Sequence, residues 1–231
     1  MPPPGNTTKR RGRRQGGPVS RDAVLHAAKQ QFAKRGYDKT TLRAIADDAR
    51  VDPSMVLYLF GSKAELFRES MKLVLPANLL TNELAEKDDD VGRRVVRAYL
   101  GIWERPDTAA SMASMVQSAT SNSDANEAFR GFLHDYLLTA VANALGGGDE
   151  ARLRAMLAAT SLVGTAMLRY IMRVPPLSSL GVDEVVALVG PAVHRSLTIP
   201  ADELGLDLPP SKTRAAQTTG PAATLRSPRG Y

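Results

Sequence analysis

A group of side chains between Thr41 and Lys63 has the chemistry needed to contact DNA. Arginine can donate two hydrogen bonds to guanine, and a proline or methionine side chain can pack on a thymine methyl group. Threonine, tyrosine and lysine bind phosphate oxygens, which hold a protein in register on the duplex. The candidate DNA-contacting residues are Thr41, Arg43, Pro53, Ser54, Met55, Leu57, Tyr58 and Lys63.

Two short helices and a tight turn are expected to position these side chains. The apolar residues of the first helix recur at helical spacing: Leu42, Ile45, Ala46 and Ala49. Thr41 is a suitable N-cap for that helix, and the turn follows at Arg50. Asp52 then caps a second helix whose first residue is Pro53, and a capping box over residues 62–65 opens the next one. A second helix this short suits insertion into the DNA major groove, with the first helix braced across the backbone.

The chain from Asp22 to Phe67 resembles the DNA-binding domain of the TetR family of transcriptional regulators in order and spacing. The resemblance rests on these segments: Asp22-Ala23-Val24-Leu25, Ala27-Ala28, Phe32, Gly36-Tyr37, Thr41, Ile45-Ala46, Ala49, Val51, Tyr58-Leu59-Phe60, Ser62-Lys63 and Leu66-Phe67. The family usually has glycine at the position of Arg50 and histidine at that of Leu59, and tyrosine is common at that of Leu57. The turn must therefore use a non-glycine residue, and Tyr58 is a candidate for the phosphate contact that a tyrosine at position 57 would make.

The resemblance implies a homodimeric DNA-binding regulator. We expect a repressor that a small-molecule effector releases from a palindromic operator. The resemblance also assigns Arg43 to the DNA groove. Lys63 lies at a helix N-terminus, where a cation is unfavourable for the helix dipole, and a phosphate there would offset that cost. An effector-free activator or architectural DNA-binding protein of the same fold is one alternative, and a helical enzyme or carrier that retains a helix-turn-helix is another.

The composition favours a soluble, cytoplasmic protein. The 231-residue chain has no cysteine, which excludes disulfides and thiolate metal sites and fits a reducing compartment. It has no apolar run long enough to span a membrane, and its N-terminus is too polar for a secretory signal.

The net charge of +6 is concentrated at the amino-terminal end of the chain. Residues 1–21 alone contribute +6, with no acid among them, and residues 22–74 add +2. Residues 75–197 contribute −3 and the remaining residues +1. One basic end on an otherwise mildly acidic chain is typical of a protein with a single nucleic-acid face.

The sequence predicts an all-α protein of about nine helices, because no segment alternates as a strand does. We expect a disordered basic arm, a DNA-binding domain containing the helix-turn-helix 41–60, a ligand-binding and dimerisation domain, and a flexible tail. These parts span residues 1–19, 20–75, 76–197 and 198–231. Turn and capping signals predict helices after Pro76 over residues 77–86, 91–104, 108–121, 125–145, 150–173 and 182–197.

The last two predicted helices carry broad apolar stripes. The first stripe comprises Leu153, Met156, Leu157, Thr160, Val163, Gly164, Met167, Leu168 and Ile171. The second comprises Val185, Val186, Leu188, Val189, Ala192, Val193 and Leu197, and Pro191 must kink this helix or start a new one. In TetR-like proteins the last two helices pair with their symmetry mates as a four-helix bundle, so residues 150–173 and 182–197 are the expected dimer contact.

Methionine and aromatic residues in the carboxyl-terminal part are candidates for an effector cavity, since thioethers and rings adapt to varied apolar ligands. The candidates are Tyr99, Trp103, Met112, Met115, Met156, Met167, Tyr170 and Met172. Core packing is the alternative role for each of them. Lipophilic molecules, antibiotics and acyl-CoA-type metabolites all fit this composition.

The sequence predicts neither catalysis nor a bound cofactor. His26, His134 and His194 lie in separate predicted helices without metal-binding spacing. The acidic run 88–90 is better explained as a solvated loop that caps a helix. The glycines at 146–148 lack the Lys-Ser/Thr pair that a phosphate loop needs.

Deleting residues 1–14 should weaken DNA binding without changing the preferred sequence. The segment KRRGRR, residues 9–14, is cationic, and each phosphate that it neutralises contributes about −0.9 to the slope of log affinity against log salt. If about half of these cations in a dimer engage, the deletion makes the slope shallower by roughly 4 to 5 units. A salt titration of operator binding measures this, and an unchanged slope would leave the arm a role in solubility alone.

Overall fold

The computed structural model describes residues 21–86, 88–200 and 203. The expected arm, residues 1–19, and all of the expected tail beyond Pro200 except Glu203 lie outside the described residues. The helices are Arg21–Lys39 (α1), Leu42–Ala49 (α2), Pro53–Phe60 (α3), Lys63–Lys72 (α4), Asn78–Thr81 (α5), Val91–Glu104 (α6), Pro106–Ser121 (α7), Ser123–Gly131 (α8), Thr139–Ala144 (α9), Gly148–Ala166 (α10) and Val182–Thr198 (α11). A 3-10 turn at Asn82–Leu84 follows α5, and π-helical turns at Phe132–Leu138 and Met167–Ile171 follow α8 and α10. The described ranges contain no strand, which confirms the all-α prediction.

The helix boundaries differ from the predicted ones in ways that local chemistry explains. α7 begins at Pro106 rather than at residue 108, because proline at the first helical position forfeits no hydrogen bond. The helix predicted over 125–145 is three consecutive segments, with a π-helical stretch between α8 and α9. The final helix runs without interruption through Pro191. Of the described helices, none is both long enough and apolar enough to cross a membrane.

The chain forms two compact units. The first combines residues 1–75 with residues 106–132, and the second combines residues 76–105 with residues 133–231, within the limits of the described residues. We expected α7 and α8 to belong with the regulatory part, but they pack against α1 and α4. The division of the chain into functional domains stays a prediction.

An aromatic cluster holds the first unit together. The rings of Phe32 and Tyr37, at the end of α1, each pack edge-on against Phe67 of α4, with centroids 4.8 and 5.1 Å away. Two serines of α7 bind the backbone of α1: Ser114 Oγ donates to the carbonyl of Phe32 at 2.6 Å, and Ser118 Oγ accepts from the amide of Tyr37 at 3.1 Å. These bonds satisfy backbone groups that burial would otherwise leave unpaired.

The second unit is built around α6, α10 and α11. α10 buries a face of small residues rather than the stripe of large apolar residues that the sequence suggested. The buried residues are Ala151, Ala155, Ala158, Leu162, Thr165 and Ala166. Met156, Val163 and Leu168, which belong to the predicted stripe, are exposed on the protomer. These three side chains are therefore available for a contact outside the protomer's own core.

α6 and α11 approach each other at two glycines. A Cβ atom added to Gly92 would lie 2.5 Å from the backbone nitrogen of His194, and closer still to the carbonyl oxygen of Gly190. A Cβ added to Gly190 would lie 3.2 Å from the Cα of Arg93. Because the obstructing atoms at Gly92 are backbone atoms, side-chain adjustment cannot relieve the clash, and the crossing requires glycine at that position.

Replacing Gly92 by alanine should lower the free energy of unfolding by about 3 kcal/mol, the upper part of the usual range for overpacking. The matched control is Gly101→Ala in the same helix, where an added Cβ meets no described atom within 4 Å. That control should be stabilised by about 0.5–1 kcal/mol, because alanine loses less conformational entropy in a helix. Urea unfolding of both variants measures the difference. Equal stabilities would contradict a close approach at Gly92.

Candidate nucleic-acid interface

The turn between α2 and α3 uses a left-handed residue other than glycine. Arg50, at the position where the family usually has glycine, has φ 57° and ψ 40°. The turn does use a non-glycine residue, as predicted. Its amide lies 3.2 Å from the carbonyl of Asp47, and the amide of Val51 bonds the carbonyl of Ala46 at 2.9 Å. Those two bonds close the end of α2. A non-glycine residue in this conformation is strained by about 1–2 kcal/mol, and here the capping bonds hold it in place.

α2 is capped and anchored by side chains on both of its ends. Thr41 Oγ1 accepts from the amide of Ala44 at 3.1 Å, which confirms the predicted N-cap. Asp48 accepts a 2.5 Å hydrogen bond from Gln31 Nε2 of α1. The hydroxyl of Thr40 is buried and lies 2.7 Å from the carbonyl of Gly36 and 3.1 Å from that of Gln31. α2 is thus fixed on α1 by polar contacts as well as by its apolar face.

The amino-terminal end of α3 is closed by Asp52. Its Oδ1 accepts from the amide of Ser54 at 2.8 Å and from the Ser54 hydroxyl at 2.6 Å. These bonds, the hydroxyl bond foremost, lower the pKa of Asp52 below its ordinary value. The predicted N-cap is confirmed. Because the Ser54 hydroxyl donates its proton to Asp52, its oxygen is left to accept a hydrogen bond from a base.

The candidate base-reading and phosphate-binding side chains are mostly exposed. Tyr58 is 83 % exposed, on the side of α3 opposite its buried residues, Val56 and Phe60, and Leu57 is 48 % exposed on the flank of the helix. Arg43 and Pro53 are exposed, and Met55 is half-buried. Within the described part of the chain, the side chain of Arg43 makes no hydrogen bond or ion pair. α2 and α3 therefore present an open surface with one uncommitted guanidinium.

Lys63 is held by the protein itself. Its Nζ lies 4.3 Å from the centroid of the Tyr37 ring and 3.5 Å from the carbonyl oxygen of Asp38. Partial burial lowers the pKa of Lys63, while the carboxylates of Asp38 and Asp124 act in the opposite direction. The ammonium group is thus positioned at the start of α4, where a phosphate would also meet free backbone amides. Its contact with phosphate stays a prediction.

The capping box predicted over residues 62–65 forms by one half only. Ser62 Oγ accepts from the amide of Glu65 at 3.0 Å, as expected. The Glu65 carboxylate accepts from Arg68 at 2.6 Å. The arginine one turn later competes successfully for the carboxylate, because a charged donor makes a stronger hydrogen bond than a backbone amide does.

The residues proposed for an effector cavity are divided between the two units. Met112 and Met115 are buried in α7 of the first unit, and the other candidates belong to the second. Tyr99 and Trp103 are buried, and the Trp103 ring stacks on Tyr170 at 5.3 Å. Met167 is half-buried, whereas Met156 and Met172 are exposed. Their role in ligand binding stays a prediction.

Gln31, Thr40 and Asp48 help to hold α2 on α1, and the sequence did not predict their roles. Each is polar and lies outside the apolar pattern from which the helices were derived. For Thr40 a signal was present in the sequence: it directly precedes the N-cap Thr41, and because two adjacent threonines cannot both cap the same helix, Thr40 needed another role. Arg50 was expected only as a turn residue, although it adds a cation between the two helices.

Comparisons with known proteins assign most of the chain to one family. The family model "Bacterial regulatory proteins, tetR family" matches residues 24–70, and the model "Tetracyclin repressor-like, C-terminal domain" matches residues 89–197. No curated protein matches the chain.

Solved structures give the same result. A TetR-family regulator from Streptomyces coelicolor A3 is 36% identical, with 81% of this chain and 99% of that chain covered and a TM-score of 0.58. A putative TetR-family transcriptional regulator from a Rhodococcus species is 14% identical, with 77% and 97% covered and a TM-score of 0.58. GusR of Salmonella enterica is 16% identical, with 75% and 94% covered and a TM-score of 0.55. The last two show a shared fold, and the first, together with the two family models, shows that this chain belongs to the TetR family of transcriptional regulators.

Proposed function

We propose that the protein is a homodimeric repressor that binds a palindromic operator and is released by a small-molecule effector. The observation that carries the proposal is the open surface of α2 and α3, where Arg43 has no partner among the described residues and Tyr58 is 83 % exposed. Arg43, Pro53, Ser54 and Met55 face base edges. Thr41, Tyr58 and Lys63 contact phosphates, and Leu57 lies against the DNA beside Tyr58.

The dimer forms through α10 and α11. Met156, Val163 and Leu168 are exposed apolar side chains on α10 and on the π-helical turn after it, and Leu188 of α11 is 66 % exposed. Four exposed apolar side chains on α10, the turn after it and α11 are typical of a surface that meets another protein. Two-fold symmetry would give two recognition helices, since one offers too few base contacts for useful specificity.

The effector part of the proposal requires a ligand with different affinities for two states. To move operator occupancy from 99:1 to 1:99, the ligand must favour the non-binding state by about 5.5 kcal/mol. An effector-free activator or architectural protein would have the same DNA-binding surface and no such ligand.

Footprinting on the protein's own promoter region, with and without candidate ligands, tests the proposal. A discrete palindromic footprint is expected, and a ligand should remove it. Broad coating of the DNA would favour an architectural protein, and no protection at any concentration would favour an enzyme or a carrier.

Replacing Arg43 by alanine should weaken binding to the cognate site by about 1–3 kcal/mol and relax the preference at one base position. Arg43→Lys is the matched control, because it keeps the charge and loses the bidentate geometry. The lysine variant should retain affinity for random DNA while losing part of the preference at that one base position. Fluorescence anisotropy with both DNAs measures this. Equal losses on the two DNAs would make Arg43 a backbone contact.

Replacing Leu188 by glutamate should dissociate the dimer and leave the protomer folded. Val186, which belongs to the same predicted stripe, is 2 % exposed and lies in the protomer's own core, so a charge there would unfold the protein. Leu73→Glu, at an exposed position just after α4 in the first unit, is the control and should stay dimeric. Sedimentation velocity at micromolar concentration distinguishes the states. A wild-type monomer under these conditions would contradict the proposed dimer.

A further inference from the structure

The exposed face of α3 is apolar, apart from two hydroxyl groups. The helix, all eight residues of which the structure describes, contains no charged or amide side chain and no histidine. Ser54, Leu57 and Tyr58 are exposed, and residues three and four positions apart are neighbours on a helix surface. These three residues therefore form one continuous face that carries no charge.

The hydrogen-bond donors at the start of α3 are already used inside the protein. The hydroxyl and the amide of Ser54 both donate to Asp52 Oδ1, at 2.6 and 2.8 Å. Pro53 has no amide hydrogen, and the amide of Met55 donates to the carbonyl of Asp52 at 2.9 Å. The first three residues of α3 therefore offer a base the Ser54 oxygen as an acceptor and no free donor. The remaining hydroxyl, that of Tyr58, contacts a phosphate under the proposed function.

Leu57 presents an apolar surface at the position where the TetR family commonly has tyrosine. Its side chain is 48 % exposed and has no group that could bind a phosphate oxygen. Burial of this surface against another apolar group is favourable, and the 5-methyl group of thymine is the apolar group that the major groove presents. The departure from tyrosine thus exchanges a polar contact for an apolar one.

We propose that α3 recognises base pairs by a pyrimidine 5-methyl group and an exocyclic amino group, both of which are accessible in the major groove. Leu57 packs on the methyl group. The Ser54 oxygen accepts a hydrogen bond from the amino group. The proposal rests on the proposed function, because it requires α3 to lie in the major groove of an operator.

This chemistry restricts the DNA that α3 accepts. Guanine presents only acceptors in the major groove, so α3 gives it no partner, and a guanine contact has to come from the guanidinium of Arg43 on α2. A T·A pair presents a methyl group on thymine and an amino group on adenine, whereas cytosine presents the amino group alone. 5-Methylcytosine presents both groups on one base. The pairs that face α3 are therefore T·A, and methylation of cytosine makes a C·G pair a partial substitute.

Fluorescence anisotropy with chemically modified operators tests the proposal, on the site that footprinting defines. Each thymine of a half-site is replaced in turn by deoxyuridine, which lacks only the methyl group. At one position or more, deoxyuridine should weaken binding about fourfold for each half-site, the effect of losing one buried methyl group. At that position a C·G pair should also bind more weakly, and 5-methylcytosine in the same pair should recover about fourfold.

7-Deazaadenine opposite the same thymine is the matched control on the DNA. It keeps the amino group and lacks the N7 acceptor, for which α3 has no donor. Affinity should therefore stay unchanged.

Variants of the two exposed side chains assign the groups that are read. Leu57→Ala should weaken binding at least about fourfold and no longer distinguish thymine from deoxyuridine at the sensitive position. Leu73→Ala, at another exposed leucine of the first unit, is the control and should keep the distinction. Ser54→Ala should weaken binding about fivefold, the effect of one hydrogen bond, and removing the adenine amino group should then cost nothing more. Thermal unfolding shows that each variant is folded.

Full affinity with deoxyuridine at every thymine of the footprint would overturn the proposal, as would a Leu57→Ala variant that still distinguishes thymine from deoxyuridine. A loss with 7-deazaadenine as large as that with deoxyuridine would reveal a donor at the same pair and would also overturn it. In each of these cases the palindromic footprint remains, so the proposed function stands. No footprint on any DNA would refute the proposed function, and this proposal with it.

Discussion

The attachment of α7 to the end of α1 is the interaction on which the first unit, which carries α2 and α3, depends. Phe32, Tyr37 and Phe67 form an aromatic cluster, and two serine hydroxyls of α7 bind the backbone beside the first two of these rings. The same turn of chain supplies Asp38, whose carbonyl oxygen lies near Lys63 and whose carboxylate accepts from Asn122. The packing of α7 on α1 and the position of Lys63, the first residue of α4, therefore depend on the same short segment at the end of α1.

α7 and α8 belong to the same unit as α2 and α3. Under the proposed function, a ligand that shifted α7 or α8 would therefore act directly on the unit that carries α2 and α3. Coupling between two sites requires an element that has two arrangements, with each site favouring one of them. The hydrogen bond from Asn122 to Asp38 is a contact whose presence or absence could distinguish two such arrangements. The half-buried ammonium of Lys63 would be affected by the same change, because Asp38 and Asp124 both act on its charge.

The sequence predicted the local chemistry well and the long-range packing poorly. The N-caps at Thr41, Asp52 and Ser62 were confirmed because a cap depends on residues two or three positions apart. The buried face of α10 was not predicted, since periodicity shows which residues share a face and not which face the protomer covers. Hydrogen bonds such as that of Gln31 with Asp48 join residues far apart in sequence, and no local pattern announces them.

The interleaving of the two units has a consequence for how the protein is made. The chain passes from the first unit to the second after residue 75, returns at residue 106 and leaves again after residue 132. During synthesis the amino-terminal helices emerge first, but the face of α1 that α7 covers stays bare until the ribosome has delivered about thirty residues of the other unit and α7 itself. A fragment ending at residue 75 would carry every expected DNA contact and lack the helix that buries its aromatic cluster. Such a fragment is a poor substitute for the whole protein, because it would expose apolar surface that invites aggregation.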